Sequence, residues 1–586
     1  CSQGCRFCQA GMVFRPVRER SAERICQLAL RSLRETGYEE ISLFSLNTTD
    51  YSCLEGLLPS LMGHLEKGKI SLSFPSLRTD GLSLSLLNQI KRVRKTGLTL
   101  APEAGSQRLR DVINKGLDEE SILGAARAAG SAGWEGMKLY FMMGLPSERE
   151  EDLLEIARLS KEAQRAGRAE RKGNFHLTVS VSSFIPKPHT PFQWVGQAPL
   201  EELREKLSLL RDRIRGPQLS LKWQSPEMSF LEATFSRGDQ SLGQALWKAQ
   251  ALGCRFDGWT EQLRFDLWTE AFIRSGIDAT SYANRQVDPG ETLPWDAIGV
   301  GLSREFLRRE YEKAKAGEIS PDCRIAGCQG CGLDCPPRAS SVAPVPSPIN
   351  PARCSTPAPA SERIRIRFRF RKGERARFLS HLEIMRTLAR AARRAGIPLS
   401  YSQGFHPQPR LRIAWALPVG VCGDAEWGEI ELERRWPPSE IEEGLNRALP
   451  PGLELWGAEE VPSSSPPLER SLSRASYQIS VSEEGISELA SRAPLLLSAA
   501  FMQEPTLLTD IQRKGRQMRI DLRPWILEFR LEEGEGLPCW HLLLRLSPEG
   551  GVHPSQVMAR FCSIYLDEKE AHELVLSWKI RRKDLS

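Results

Sequence analysis

A parallel α/β sheet followed by a separate α+β domain is the architecture predicted for this 586-residue chain. Three observations carry that prediction. From residue 21 to residue 184, short extended apolar segments alternate with amphipathic helical ones, the rhythm of strands joined by crossover helices. Residues 336–361 (PPRASSVAPVPSPINPARCSTPAPAS) are rich in proline, alanine and serine with almost no charge, so they cannot bury a core and read as an extended tether. Seven of the fourteen cysteines fall in two tight clusters, at 1–8 and 323–335, which bracket the part ahead of the tether.

The elements follow in order. Residues 21–36 begin at a serine cap and place Ile25, Leu28, Ala29 and Leu33 on one face of a helix. Extended stretches are expected near 40–46, 70–75, 97–101, 136–143 and 175–184, with helices at 53–66, 82–95, 105–132 (as two helices) and 149–166. Residues 198–320 are less regular, with a helix at about 199–214. The tryptophans Trp223, Trp247, Trp259, Trp268 and Trp295 in that region read as core and packing residues. Beyond the tether come a strand at 363–371, a helix at 381–395, strands near 410–415 and 427–434, and a helix at 438–448. A second half repeats the mixture, with strands near 475–482, 517–530 and 540–547 and helices at 484–492 and 554–565. The expected domains are therefore 1–197, 198–335 and 362–586, with 336–361 as linker.

Length excludes a single core and suggests about four domains. Composition, 40% hydrophobic and 26% charged, is that of a soluble globular protein, and a net charge of +6 neither demands nor excludes a nucleic-acid partner. No apolar run is long enough to span a bilayer and no signal peptide is visible, so no membrane partner is expected. Clustered rather than scattered cysteines favour a reducing cytoplasm over a disulfide framework. The sequence starts at Cys1 without an initiator methionine and reads as a fragment of a longer polypeptide.

Chemistry concentrates in the cysteines and the strand ends. Cys1, Cys5 and Cys8 (CSQGCRFC) supply three thiolates where an ordinary ferredoxin supplies four, a set that suits a [4Fe–4S] cluster with one open iron. A zinc knuckle is the rival reading, but no further histidine or cysteine follows until Cys26. Cys323, Cys328, Cys331 and Cys335 (CRIAGCQGCGLDC) form a four-thiolate set that would fill a zinc tetrahedron or close an auxiliary iron–sulfur cluster. Ligand-binding groups should stand at strand C-termini. Candidates there are Ser45, Thr48, Thr49 and Asp50, then Arg78 and Asp80, then Glu103 and Ser106, then Gly144 and Pro146, and the FIPKPHTPFQW run from Phe184 to Trp194. Taken singly, each reads as a turn, surface or ion-pair residue. Five consecutive strands ending this way are harder to dismiss.

The blocks CSQGCRFCQAGMVFRPVRERS, SLNTTDYS, PSLRTD, LAPEAGSQRLRDVINKG, KLYFMMGLPSE and VSSFIPKPHTPFQW, in that order, resemble one branch of the radical SAM superfamily. It is the branch of cobalamin-binding-type proteins of unassigned function, related more distantly to methylthiotransferases. The resemblance covers about 1–335. Residues 363–586 resemble a radical-SAM-associated domain through RFLSHLEIMRTLARAARRAGIPLSYSQGFHPQPRLRIAWALPVGV. The resemblance implies a partial (β/α)6 barrel whose first strand would precede Cys1 and bring the five visible strands to six. It implies a [4Fe–4S] cluster on Cys1, Cys5 and Cys8, with S-adenosylmethionine on the open iron. Phe7 would lie near the adenine, and Ser45, Asp50, Arg78, Glu103, Ser106, Gly144 and Pro146 would contact the cofactor. A 5′-deoxyadenosyl radical would then abstract hydrogen from substrate, with the electron drawn from a donor such as flavodoxin or ferredoxin. Cobalamin would be used only through a region ahead of Cys1. No general acid or base is required for the first step, so His176, His189 and His381 read as structural.

In the C-terminal domain, Arg363, Arg365, Arg367, Arg369 and Arg371 share one face of a strand. They suit a phosphate-tracking RNA surface, or they pair across the sheet with Glu429, Glu431 and Glu433. A basic helix face at Arg386, Arg390, Arg393 and Arg394 keeps RNA binding open. The expected function is a radical enzyme acting on RNA or a ribosomal component. Alternatives are a small-molecule substrate or a non-catalytic, metal-holding RNA-binding protein.

Overall fold

The computed structural model describes residues 3–74, 78, 84–91, 93, 97–171, 173–335, 364–404, 407–480, 494–513, 516–532, 539–547, 551–563, 575 and 578–586. Cys1, Asp80, Arg363, the linker at 336–361 and the helix expected over 484–492 lie outside them. The chain divides into two compact units, Cys1–Ala29 with Glu39–Arg353, and Leu30–Tyr38 with Cys354–Ser586.

In the first unit, β1 (Glu40–Ser42) pairs in parallel with β2 (Ser71–Ser73). A second parallel sheet has the order β3 (Thr99–Glu103), β4 (Gly136–Met143), β5 (His176–Ser183) and β6 (Leu219–Trp223). Helices precede β1 and link the strands. They are α1 (Gln9–Val13), α2 (Ala22–Thr36, of which this unit includes the part through Ala29), α3 (Leu54–Lys67), α4 (Leu84–Ile90), α5 (Gln107–Val112), α6 (Glu119–Ser131), α7 (Glu150–Arg171) and α8 (Leu200–Arg213). Parallel pairing requires such crossovers, because a hairpin reverses direction.

Six parallel-paired strands thus stand within the described residues. Five of them answer to the expected strands, and β6 is an additional one. Sequence patterning overlooked it because its residues are half or fully exposed at the end of the sheet order, so LSLKW shows no buried run.

Region 198–320 continues as α9 (Pro226–Arg237), α10 (Leu242–Ala251), α11 (Phe265–Ser275), α12 (Ala279–Ala283) and α13 (Arg304–Ala316), and the second cysteine segment opens with α14 (Cys323–Ala326). Trp268 and Trp295 are core residues, as expected. Trp223, Trp247 and Trp259 are instead exposed, at 45%, 78% and 64%. One apolar cluster joins Met12 on α1, Leu109 and Val112 on α5, Phe184 and Trp194 after β5, Phe306 and Tyr311 on α13, and Cys331.

The second unit is built on an eight-stranded sheet ordered β10-β7-β9-β16-β11-β15-β14, with β8 also on β9. These are β7 (Ile364–Lys372), β8 (Leu411–Ile413), β9 (Cys422–Leu432), β10 (Leu453–Val461), β11 (Arg474–Ser480), β14 (Ile526–Glu532), β15 (Cys539–Arg545) and β16 (Lys579–Leu585). β12 (Leu508–Arg513) and β13 (Arg516–Asp521) form a separate antiparallel pair. The single strand expected over 517–530 is therefore two strands, broken at Arg523–Trp525, where Pro524 sits in a 3-10 turn. Two helices, α15 (His381–Arg394) and α16 (Pro438–Ala448), share a core with β7, β9 and β10. Two more, α17 (Pro494–Gln503) and α18 (Pro554–Cys562), share another with β11, β14 and β15.

The two halves meet where β16 pairs in parallel with β9. Beside that join, Arg582 and Glu426 form a fully buried ion pair, and Arg582 also donates to the Trp415 carbonyl at 3.0 Å. The arginine face of β7 takes the cross-sheet option. Arg365 and Arg367 both pair with Glu429, at 2.8 and 3.2 Å, while the Arg369 guanidinium lies 4.4 Å from the centroid of the Trp427 ring.

His553 caps α18, its Nδ1 accepting from the Ser555 N–H at 3.0 Å. Burial holds its pKa down at about 4, from an ordinary 6.5. Between those values the unfolded chain binds the extra proton, so stability is complete above pH 6.5 and is lost as pH falls toward 4. His553→Asn retains a cap acceptor and is expected to flatten that fall in thermal melts of the full chain, whereas His553→Ala costs about 1 kcal/mol at neutral pH. An unchanged pH profile in the Asn variant contradicts the assignment.

Candidate functional site

The first cysteine loop is fixed by backbone and by buried polar side chains. The Arg6 N–H donates to the Ile113 carbonyl at 3.0 Å, and the Cys8 N–H to the Cys5 carbonyl at 3.1 Å. Cys8 then caps α1, its Sγ accepting from the Gly11 N–H at 3.3 Å. Asn114, just past α5, donates from Nδ2 to the Gln3 and Gly4 carbonyls at 3.1 and 3.2 Å. Cys5 is buried, which pushes its thiol pKa up, opposed by the neighbouring charges of Lys115 and Arg78. Phe7 is partly buried against the apolar cluster that holds α1, α5 and α13.

Of the strand-end candidates, Arg78 and Glu103 come to this place. Glu103 ends β3 with φ +70° and pairs with Lys115 at 3.1 Å. Arg78 donates to the carbonyls of Lys115 and Gly116 at 2.9 and 3.0 Å. Both cations and Glu103 lie within electrostatic reach of the Cys5 thiol. The other candidates have local partners. Ser45 is exposed, with its hydroxyl 3.1 Å from that of Thr48. Ser106 caps α5 and donates to Asp152. Gly144 adopts φ +76° after β4, where a side chain would also press on Leu203, and its N–H donates to Glu148 at 2.8 Å. Pro146 stands half-buried in the same turn. Asp50 accepts from Gln3 Nε2 at 3.2 Å and lies 3.8 Å from the Arg324 guanidinium.

That last contact belongs to the second cysteine segment. Asp322 caps α14, accepting from the Arg324 N–H at 2.8 Å. Cys331 is buried in the apolar cluster, Cys323 is half-buried, and Cys328 and Cys335 are exposed. Cys331 and Cys335 both lie within electrostatic reach of Cys323. Gly332 turns the chain with φ +94°, bringing its Cα to a place where a Cβ would stand 2.9 Å from the Ser303 nitrogen. Among the described residues, no three His, Cys, Asp or Glu side chains gather closely enough to hold a metal ion. The donor chemistry itself fits. Cys5 and Cys8 occupy a fixed turn flanked by cations, which suits an anionic thiolate cluster, and the second segment offers four soft thiols.

Sequence reasoning missed four residues that build this region: Arg6, Asn114, Lys115 and Glu310. Arg6 is fully buried; it donates from Nε and Nη2 to Glu310 at 3.2 Å, from Nη1 to the Val112 carbonyl at 3.0 Å and from Nη2 to the Glu318 carbonyl at 2.7 Å. Replacing Arg6 by Met removes the fully buried cation from Glu310, leaving it only Lys313 at 3.2 Å and the Ser320 hydroxyl, and is expected to destabilise the chain by about 3 kcal/mol in urea unfolding. Pairing it with Glu310→Met is expected to recover most of that loss. A double variant no more stable than Arg6→Met contradicts the pairing argument.

Comparison with known proteins agrees with this organisation. Residues 1–160 match the radical SAM superfamily, and residues 365–554 match a family described as an uncharacterized protein conserved in bacteria, DUF2344. An uncharacterized protein of Methanocaldococcus jannaschii is 31% identical over 246 residues, covering 42% of this chain and 52% of the relative. The ribosomal protein uS12 methylthiotransferase RimO of Caldanaerobacter subterraneus subsp. tengcongensis is 26% identical over 199 residues, covering 32% of this chain and 44% of the relative. The chain thus spans about half the length of the curated relatives it matches. A solved structure of HydG, a maturase of the [FeFe]-hydrogenase, aligns with a TM-score of 0.26 at 12% identity over 54% of this chain and 80% of HydG, too low a score to bear on the fold. No helix among the described residues is long and apolar enough to cross a membrane. By these matches the chain carries a radical SAM domain over residues 1–160 and a DUF2344 domain over residues 365–554.

Proposed function

We propose that this chain is a radical S-adenosylmethionine enzyme that modifies a ribosomal component. One observation supports the catalytic half: the Cys5–Cys8 turn stands at the end of β3 with Arg78, Glu103 and Lys115 around the buried Cys5 thiol. When bound, a [4Fe–4S] cluster on Cys1, Cys5 and Cys8 would supply the electron that cleaves S-adenosylmethionine to methionine and a 5′-deoxyadenosyl radical.

The chain's own part is binding and orientation. Arg78 and Lys115 place positive charge beside the thiolates. With Glu103 they also present both signs to the amino-acid end of the cofactor, Glu103 to its ammonium and the cations to its carboxylate. Phe7, Gly144 and Pro146 are assigned to the adenine, and Ser45 and Asp50 to the ribose. Ser106 acts by holding the start of α5. The electron comes from a flavodoxin- or ferredoxin-type donor.

For the substrate, the similarity to RimO, whose name gives ribosomal protein uS12 as its target, favours a ribosomal protein. The arginine face of β7 gives RNA little support, because Arg365 and Arg367 are already engaged by Glu429.

Anaerobic reconstitution of the full chain with iron and sulfide, then S-adenosylmethionine and dithionite, is expected to give 5′-deoxyadenosine. Cys5→Ser and Cys8→Ser should lower it at least about tenfold. No 5′-deoxyadenosine from the wild-type chain overturns the enzyme reading. Mass spectrometry of ribosomal peptides and nucleosides from cells with and without the intact gene tests the substrate. A mass shift on a ribosomal protein is expected, and an unchanged ribosome overturns that half in favour of a small molecule.

A further inference from the structure

The second cysteine segment is tied to the first by a dense, largely buried set of polar contacts. The Asn114 side chain, 3% exposed, donates to the Gln3, Gly4 and Ser320 carbonyls, the last at 3.0 Å, and its Oδ1 accepts from the Ser320 N–H at 2.8 Å. One amide therefore clamps residues 3–4 to residue 320. Arg6 of the first loop reaches the Glu318 carbonyl, and Ser320 Oγ donates to Glu310, the carboxylate that also holds Arg6. Arg324 Nη1 donates to the Asp50 carbonyl at 3.1 Å, while Gln3 holds the Asp50 carboxylate. Arg15, seven residues beyond Cys8, has its charge within electrostatic reach of Cys323. Gly4, Arg15, Asn114, Cys323 and Gln329 line a gap of about 10 Å³ between the segments, room for a single water.

The four thiols of this segment are not among the residues assigned above to the cluster or to S-adenosylmethionine. Their arrangement is partly prepared for a metal. The Cys328 Sγ accepts from the Gly330 N–H at 3.3 Å, an interaction that stabilises negative charge on sulfur. Gly327, Gly330 and Gly332 all adopt positive φ, so the intervening chain wraps instead of extending. Cys331 is anchored in the core, and its carbonyl accepts from Ser303 at 2.9 Å. Cys328 and Cys335 are exposed.

We infer that Cys323, Cys328, Cys331 and Cys335 take one thiophilic metal centre as a closed four-thiolate site, and that filling it fixes the first cysteine loop through Asn114 and Arg324. Binding gathers the thiols, releases their protons to solvent and leaves no open coordination position. The site is structural. Asn114 and Arg324 are positioning residues that transmit the order of residues 320–335 to residues 3–8. The binding half stands apart from the radical chemistry, while the purpose of the coupling rests on the function proposed above.

The test uses the full chain with Cys1, Cys5 and Cys8 replaced by Ser, so that the first loop binds nothing. Cobalt(II) added anaerobically is expected to bind at one ion per chain, with the charge-transfer and d–d absorption of tetrahedral cobalt thiolate. Adding Cys331→Ser should abolish those bands. Zinc(II) is then expected to slow amide exchange of residues 3–8 at least about tenfold, an effect lost when Asn114→Ala and Arg324→Ala are introduced together although cobalt still binds. Failure of cobalt to give tetrahedral thiolate bands overturns the site. Binding with unchanged exchange at residues 3–8 overturns the coupling. Neither outcome touches the measurement of 5′-deoxyadenosine in the unaltered chain.

Discussion

The guanidinium of Arg6 has no access to water, and much of the first unit is arranged around that fact. A buried cation is tolerated only when a counter-charge and acceptors replace its hydration shell. Here the counter-charge is Glu310 on α13, and the acceptors are carbonyls at the end of α5 and at Glu318. These groups come from three separate stretches of chain. Loss of any one would expose the others to an uncompensated desolvation penalty. The cysteine loop, α5, α13 and the segment after α13 therefore behave as one cooperative body. The loop that carries Cys5 and Cys8 gains rigidity from this core in addition to its own bond from the Cys8 N–H to the Cys5 carbonyl.

The same principle governs the second unit. Arg582 and Glu426, both buried, join the halves of the eight-stranded sheet where β16 meets β9. On β7, Glu429 serves two arginines at once, and Arg369 rests on an indole. A row of arginines along a strand invites a phosphate ligand, but a cation already engaged by a carboxylate must lose that partner before it can meet a phosphate. The positive charges of this sheet face serve cohesion. That shifts the weight of any recognition by this unit toward other surfaces.

How far the sequence announced these features depends on where each partner lies. Strands β4 and β5 fall within a residue or so of the expected 136–143 and 175–184, because alternate or continuous burial leaves a readable apolar pattern. Strand β16 (KIRRKDL) was invisible. Five of its seven residues are charged, yet it lies inside the sheet order, because a carboxylate 156 residues away neutralises Arg582. The cysteines were legible from spacing alone. Arg6, between two of them, looked like a spacer, since its partner Glu310 lies 304 residues further on. Lys115 and Asn114 were inside a quoted block, RDVINKG, but nothing local marks a polar residue as buried. Long-range polar pairing is the one class of interaction that periodicity does not encode.

On the assignments proposed above, the two cysteine sets differ in coordination arithmetic. Three thiolates around a four-iron cube leave a site where a substrate can enter, so the loop that carries them must be held in place from outside. Four thiolates satisfy their metal fully and leave nothing for chemistry, so the bound centre can act as the fixed point itself. Residues 318–324 reach from the closed set to the open one through Asn114, Arg6 and Asp50, a sequence separation of about three hundred residues bridged at hydrogen-bond distance. Loop-closure entropy grows only slowly with length. A distant segment can therefore stabilise the loop nearly as cheaply as an adjacent one, while Arg78, Glu103 and Lys115 remain the neighbours of Cys5 that the proposed function assigns to the ligand.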